Sequence, residues 1–379
     1  ESAGLATMAL GGSSADTWVL GDEPLQEDTD FDHSTLAAFT PADTALVQRE
    51  RLVTSRAAEN LFWLGRYTER AENATRLARI VLQSLHGEEE PSIGHLMWIG
   101  QLAESAGLVP DDCPSPLDDR VEFERQLIGA LGDTEDTPSV GYTLRNLRQA
   151  GSALRERLSP EHWNFIKQAE DTFLREARRL RDDGGQGADA LQQLAAVSRA
   201  LSAITGAQHD RMWRDDGWRL LSAGRQIERL TYLSEALSRG FYTNAVHDAA
   251  GFGVVLDLFD STISFHARYQ RSRAIAALIE HVVLNFENPR SLGWVVQTLN
   301  GRLARLHERE PGPLEDLSKR LQPPGADQLT RLCQSDHIGD FVHLQALLQQ
   351  FMKAGAQLST DISLRHFTHT GEVRRSTGV

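Results

Sequence analysis

The sequence predicts an all-α protein, a large helical bundle preceded by an irregular acidic N-terminal segment. Three observations carry this expectation. From Thr40 onward apolar residues recur at spacings of three and four, the period of helices with a buried face. Short Gly, Pro and Asp clusters separate these segments, and alternating apolar/polar runs of strand type are nearly absent. Residues 1–39 differ, mixing Gly, Ser, Asp and Thr with little periodicity, and Gly21-Asp22-Glu23-Pro24 opens an acidic stretch of linker composition.

The elements follow in order. Thr40-Pro41-Ala42-Asp43 reads as a capping box with Asp in the Glu position and Pro in the first turn, so a helix is expected over 42–87. Helical spacing then predicts 91–107, 117–131, 138–158, 160–182, 188–206, 215–239, 244–283, 289–309, 313–321, 325–334 and 337–368. The segments 42–87 and 244–283 are long enough that a break is expected inside each. Asn288-Pro289 reads as an N-cap followed by proline at the first helical position.

The most informative feature is a self-match at an offset of 159 residues, an internal two-fold repeat of a Gly-Arg-x-x-Glu-Arg helix. Leu64-Gly65-Arg66-Tyr67-Thr68-Glu69-Arg70 aligns with Ala223-Gly224-Arg225-Gln226-Ile227-Glu228-Arg229. On a helical wheel Ala57, Leu61, Leu64, Thr68, Ala71, Thr75 and Leu82 form a largely apolar stripe. Glu59, Arg66, Glu69, Arg70 and Asn73 fall opposite, beside Phe62 and Leu77. In the second copy Arg225, Glu228 and Arg229 repeat those positions, with Tyr232 in place of Asn73. Glycine inside a helix costs about 1 kcal/mol, so Gly65 and Gly224 point to close approach of another backbone.

Two readings of the charged faces stand side by side. Each Glu-Arg set could be a solvated face or a structural ion-pair network tying two central helices together. Alternatively the faces converge on a polar pocket, where Arg66, Arg70, Arg225 and Arg229 clamp a carboxylate or phosphate and Glu69 and Glu228 orient them or handle protons. Asn73, Tyr269, Arg271 and Arg290 are further candidates for the same centre. Tyr269 and Arg271 continue a helix carrying Asp257, Asp260 and Ser261, while Arg290 and Ser291 fall in the first turn of a helix, where free N–H groups favour anions. Arg145, Asn146 and Arg148 could add to it.

Composition narrows the classes. Hydrophobic content of 40% and charged content of 24% are ordinary for a globular chain of 379 residues. No run of about 18 apolar residues is present, and the N-terminus lacks a basic stretch followed by an apolar core. The net charge is −14, and residues 1–45 hold nine acids and no Lys or Arg. That balance disfavours nucleic acid and anionic membranes as partners. Cys113 and Cys333 read as free thiols in a reducing compartment, hence the cytoplasm. Neither Cys333 with His337 nor His366 with His369 completes a metal set, so no metal is expected. There is no Gly-rich phosphate loop, Gly-x-Ser-x-Gly elbow, His-Glu-x-x-His or Cys-x-x-Cys. The chain opens on Glu1 rather than Met, which suggests a piece of a longer polypeptide.

Ser55-Arg56-Ala57-Ala58-Glu59-Asn60-Leu61-Phe62-Trp63-Leu64-Gly65-Arg66-Tyr67-Thr68-Glu69-Arg70-Ala71-Glu72-Asn73 closely resembles the opening of the Alpha-E family, named for its helical content and Glu-Arg motif. The similarity continues through Leu158–Trp163, Gly217–Leu221, Asp260–Tyr269 and Glu287–Leu292, spanning roughly residues 53–370. Ser222-Ala223 stands where the family more often has an apolar pair. Gly4–Ala9 and Ser13–Leu20 are similar to the end of a circularly permuted ATP-grasp domain. The resemblances divide the chain into an ATP-grasp-like tail (1–20), an acidic linker (21–40), the Alpha-E domain (41–370) and a flexible C-terminal tail (371–379).

Members of that family commonly accompany ATP-grasp proteins. The resemblance therefore implies a helical partner domain of an ATP-grasp-type amide or peptide ligase, fused or separate, acting on a small peptide or amino-acid-like substrate. It implies no cofactor in this domain, with ATP and Mg on the associated ligase domain. It carries over no catalytic residue. Two rivals remain: a non-catalytic scaffold that docks the ligase, and an independent metal-free amidohydrolase or aminoacyl transferase.

Overall fold

The computed structural model describes residues 53–87, 90–135, 137–182, 184–309, 315–335 and 340–367. Segments 1–20, 21–40 and 371–379, the Thr40–Asp43 box, His337 and His369 lie outside them. The described residues are helices, turns and loops, with no strand among them.

Helix α1 (Ser55–Leu85) starts where the Thr54 side chain accepts from the Ala57 N–H at 3.2 Å, and it runs unbroken for 31 residues. Then follow α2 (Ile93–Ser105), α3 (Arg120–Ala130), α4 (Val140–Ser152), α5 (Pro160–Asp182) and α6 (Gly187–Asp210). Helix α7 (Asp216–Tyr242) is capped by Asp215, which accepts from the Trp218 N–H at 3.0 Å.

The segment 244–283, in which a break was expected, is divided more than once. It forms α8 (Ala249–Leu258), α9 (Thr262–Tyr269) and α10 (Ile275–Ile279), the last running into a π turn over Glu280–Leu284. The breaks fall at Asn244, Asp260 and Gln270, all with positive φ, a conformation that ends a right-handed helix.

Helix α11 (Leu292–His307) is capped by Ser291, not by Asn288 as the sequence reading had it. The Asn288 side chain is used otherwise: its Oδ1 accepts from the Arg290 N–H at 3.0 Å and its Nδ2 donates to Ser261 Oγ and the His281 carbonyl. Arg290 therefore precedes the helix and is fixed by a turn. The segment expected as helix 313–321 holds, in its described part, a single 3-10 turn over Leu317–Lys319, nucleated by Asp316 accepting from Ser318 and followed by Pro323-Pro324. A 3-10 turn over Ala326–Gln328 leads into α12 (Leu329–Leu332), and α13 covers Val342–His366.

The core centres on α1 and α7. Helix α1 packs against α7, α4 and α6; α7 packs against α1, α13 and α11; α5 closes over α4 and α6. The wheel of α1 gave one apolar stripe opposite a charged face, but both faces are covered: Leu61, Phe62, Leu64, Tyr67, Thr68, Glu69, Asn73 and Leu77 are all buried. A helix that is buried all round must satisfy its charges inside the protein.

Candidate functional site

The α1–α7 seam is built on the two glycines. A Cβ on Gly65 would overlap the backbone carbonyl of Leu221, and one on Gly224 would overlap that of Phe62. Contacts then advance together along both helices, with separations between 153 and 162 residues. The helices therefore run parallel, with the two Gly-Arg-x-x-Glu-Arg segments in register. Successive residues on a helix point 100° apart, so Glu69 turns to one flank of this seam and Arg70 to the other.

The outcome is reciprocal. On the first flank Arg229 donates to Glu69 through Nε and Nη2, both at 2.7 Å, and Arg225 through Nη2 at 3.0 Å. On the second flank Arg66 Nε donates to Glu228 Oε2 at 2.8 Å, and Arg70 Nε and Nη2 reach the same carboxylate at 2.8 and 3.0 Å. Arg66 also lies over the Phe62 and Trp63 rings, and Arg70 over Tyr67. The two glutamates thus belong to separate centres, and the four motif arginines do not line one common cavity.

The flanks differ in what covers them. On the second, α13 fills the groove: Ser359 accepts from Arg66 Nη1 at 2.7 Å, Gly355 sits against Thr231, and Gln345 bonds Ser238. The first flank stays open as a cleft of about 590 Å³. Arg290 crosses into it, donating to Glu69 at 3.2 Å and to Glu72 at 3.4 Å. Glu72 also accepts from Arg225 and from the Thr205 hydroxyl. Arg76 and Arg79 of α1, and Ser202 and His209 of α6, join the lining with Asp257 at the end of α8 and Asp260 from the α8–α9 turn. Arg76 pairs with Asp260 at 3.2 Å. Arg79 makes no hydrogen bond or ion pair with the described residues.

Electrostatics follow from this census. Burial alone would raise the Glu69 carboxyl, but Arg229, Arg290 and Arg225 outweigh it and hold the group far below the ordinary range. Burial likewise opposes ionisation of Glu228, and the charges and hydrogen bonds of Arg70 and Arg66 bring it down to about 2. Carboxylates so placed are weak bases and serve to anchor arginines. Arg290 is the reverse case: burial first, then the facing Arg229 charge, lower its guanidinium to about 10, despite Glu69 and Glu72. Five arginines line the cleft against Glu72, Asp257, Asp260 and the Glu69 behind them, so positive charge is in excess. Burial, reinforced by nearby arginines, keeps His209 below the usual imidazole range.

An acid titration should show both anchors and one core histidine. His162 is fully buried, neither ring nitrogen has a partner, and burial lowers it to about 4. In the unfolded chain it takes a proton near pH 6.5, so stability falls as pH drops from there towards 4, by on the order of 3 kcal/mol. Glu228 contributes stability above its unfolded value near 4.5 and loses it as pH falls towards 2. Urea midpoints measured from pH 8 to 3 are expected to fall in these two stages, and His162→Leu to shrink only the first. A midpoint flat down to pH 4 in the wild type would contradict the burial assigned to His162.

Of the sequence candidates, Arg225, Arg229 and Arg290 share the first flank with Glu69, and Arg66 and Arg70 share the second with Glu228. Asn73 is buried with both amide atoms unpartnered and does not line the cleft. Tyr269 packs on Phe265 and His281, away from the lining, and Arg271 is exposed in the turn after α9, because Asp260 and Gln270 interrupt the helix that was to carry them to the centre. Arg148 pairs with Glu170 and Asp171, and Arg145 with Glu135. Sequence reasoning missed Glu72, Arg76, Arg79 and His209. The signal for the first three was present, since Glu72, Thr75, Arg76, Arg79 and Gln83 continue the motif along α1 at spacings of three and four. Among the described residues no three His, Cys, Asp or Glu side chains stand together as a metal set, and no helix is long and apolar enough to cross a membrane.

Comparison with known proteins finds distant relatives and one family. The chain is 24% identical over 352 residues to the uncharacterized protein Rv2567 of Mycobacterium tuberculosis, and equally so to the uncharacterized protein Mb2597 of Mycobacterium bovis. The match covers 86% of this chain but 38% of each relative, so the chain spans well under half the length of these proteins. No solved structure matches it. Residues 53–367 match the Alpha-E family, described as a predicted alpha-helical domain with a conserved ER motif. With Glu69-Arg70 and Glu228-Arg229 dividing their charges between the two flanks of one helical seam, the chain belongs to the Alpha-E family.

Proposed function

We propose that this domain is the substrate-holding helical partner of an ATP-grasp-type amide ligase, and that the cleft beside α1 receives a carboxylate or phosphate of the substrate. The observation that carries this reading is Arg79, a cation without a partner among the described residues, in a cleft where Arg290 already meets excess positive charge. An anion there gains charge-assisted hydrogen bonds and relieves that repulsion. The buried layer beneath it, Glu69 with Arg225 and Arg229, holds the wall rigid. Glu69 and Glu228 position arginines and Asp260 pairs with Arg76, so the ionisable groups left to handle a proton in the cleft are Glu72, Asp257 and His209. ATP and Mg belong to the ligase domain, for which the longer relatives leave ample room. The same family resemblance that names the ligase supports a small peptide or amino-acid-like substrate.

The test has two parts. The domain incubated with its cognate ligase, ATP and an amino-acid pool should yield a new amide product by mass spectrometry, and Arg79→Gln should raise KM about tenfold or more while leaving the melting temperature unchanged. Product formed equally well without the domain would sink the proposal.

A further inference from the structure

The cleft does not end at Arg79. A second cavity of about 550 Å³ shares Ile80, Gln83 and Asp257 with it, so the two form one trough along the C-terminal half of α1. Residues Glu72 to Ser84 lie along this trough. At 1.5 Å per residue they cover about 18 Å, the reach of about five residues of extended peptide.

Charge changes sign along that length. Among the described residues the second cavity is lined by no Lys or Arg; the ionisable groups there are Glu90, Asp248, Asp257 and His95. Asp248 caps α8 and accepts from Ser92 Oγ at 2.6 Å. Asp257, which lines both cavities, accepts from the Thr262 hydroxyl at 2.7 Å, and among the described residues Glu90 pairs with Arg120, at 3.5 Å. His95 points independently to a ligand. It is 1% exposed, its Nδ1 has no partner among the described residues, and it lines this cavity. Buried polar groups are nearly always hydrogen-bonded, and burial keeps this imidazole neutral although Asp248 is close.

We infer that the trough binds an extended molecule with an anion at one end and an ammonium at the other. The anion lies against Arg76, Arg79 and Arg290, which line only the first cavity, and the ammonium against Asp248, which lines only the second, with His95 as a neutral hydrogen-bonding partner. This inference rests on the anion site proposed above and adds its substrate class. A free α-amino acid carries both charges on one carbon and cannot reach both ends. A peptide of about five residues, or an amine-tipped acid of similar length, can.

Isothermal titration calorimetry of this chain with penta-alanine, its N-acetylated and C-amidated forms, and inorganic phosphate tests the inference. Free penta-alanine should bind, and N-acetylation should weaken binding about tenfold or more. That loss should vanish in Asp248→Asn, whose side-chain oxygen can still cap α8 by accepting from the Gly251 N–H. Amidation should behave in the same way with Arg79→Gln. Equal affinity for free and acetylated peptide, or no peptide binding, overturns the two-ended reading, while phosphate binding that depends on Arg79 keeps the anion site standing. Phosphate binding indifferent to Arg79→Gln overturns the anion site itself.

Discussion

Glu69→Ala is expected to destabilise the domain by about 3–5 kcal/mol, because removing one partner of a buried ionic cluster leaves the others charged and dry. Arg225 and Arg229 have side chains only 4% and 8% exposed, and Arg290 loses its closest acid as well. Glu228→Ala frees only Arg66 and Arg70, the latter 33% exposed, and water can reach them. Its cost should be smaller, about 1–3 kcal/mol. Urea unfolding of both variants measures the difference. Equal costs would mean that the two ion clusters are alike in burial, against the exposures of their side chains. Glu69→Gln, which keeps the shape but not the charge, should fall between wild type and Glu69→Ala.

Gly65→Ala should cost about 3 kcal/mol or more, although alanine ordinarily gains about 1 kcal/mol over glycine inside a helix. The added methyl meets the Leu221 backbone carbonyl, which cannot rotate away as a side chain could, so α1 and α7 must separate along their length. Gly224→Ala meets the Phe62 carbonyl and should behave alike. Gly206, on the exposed side of α6, and Gly301, in α11, have nothing within 4 Å of a built Cβ, and alanine at either should stabilise slightly. Thermal melts of the four variants decide the matter, and a Gly65→Ala protein as stable as wild type would remove the close-packed seam from the account.

The sequence made much of this visible, for physical reasons. Helical spacing survives in single segments, so most of the helices could be placed from it, and a glycine with no turn to make, inside a strongly helical run, announced a close neighbour. The Glu-Arg motif marked the central helices. What was not legible depended on distant segments. The coverage of both faces of α1 comes from α4, α6 and α7, which no local pattern in 55–85 records. A break in 244–283 was expected from its length, but its places, at the left-handed residues Asn244, Asp260 and Gln270, were not, because the apolar spacing runs straight through them. Asn288-Pro289 carries the composition of a cap, yet Asn288 has better partners in Ser261 and His281, and the helix waits for Ser291. Comparing positions beyond the motif would have exposed the inequality of the flanks: Glu72, Arg76 and Arg79 correspond at the same offset to Thr231, Glu235 and Ser238. One flank keeps its arginines into the cleft, and the other exchanges them for groups that α13 can cover.

The parallel register of α1 and α7 also sets an order of events during synthesis. The partner that neutralises Glu69, Arg66 and Arg70 is made about 160 residues after them, roughly ten seconds or more later at ribosomal speeds of about 5–20 residues per second. Throughout that interval α1 must remain hydrated, since early collapse onto α4 alone would bury its charges without counterions. The motif so delays completion of the core until α7 has emerged, and a nascent chain halted before Arg225 holds a central helix with no place to go.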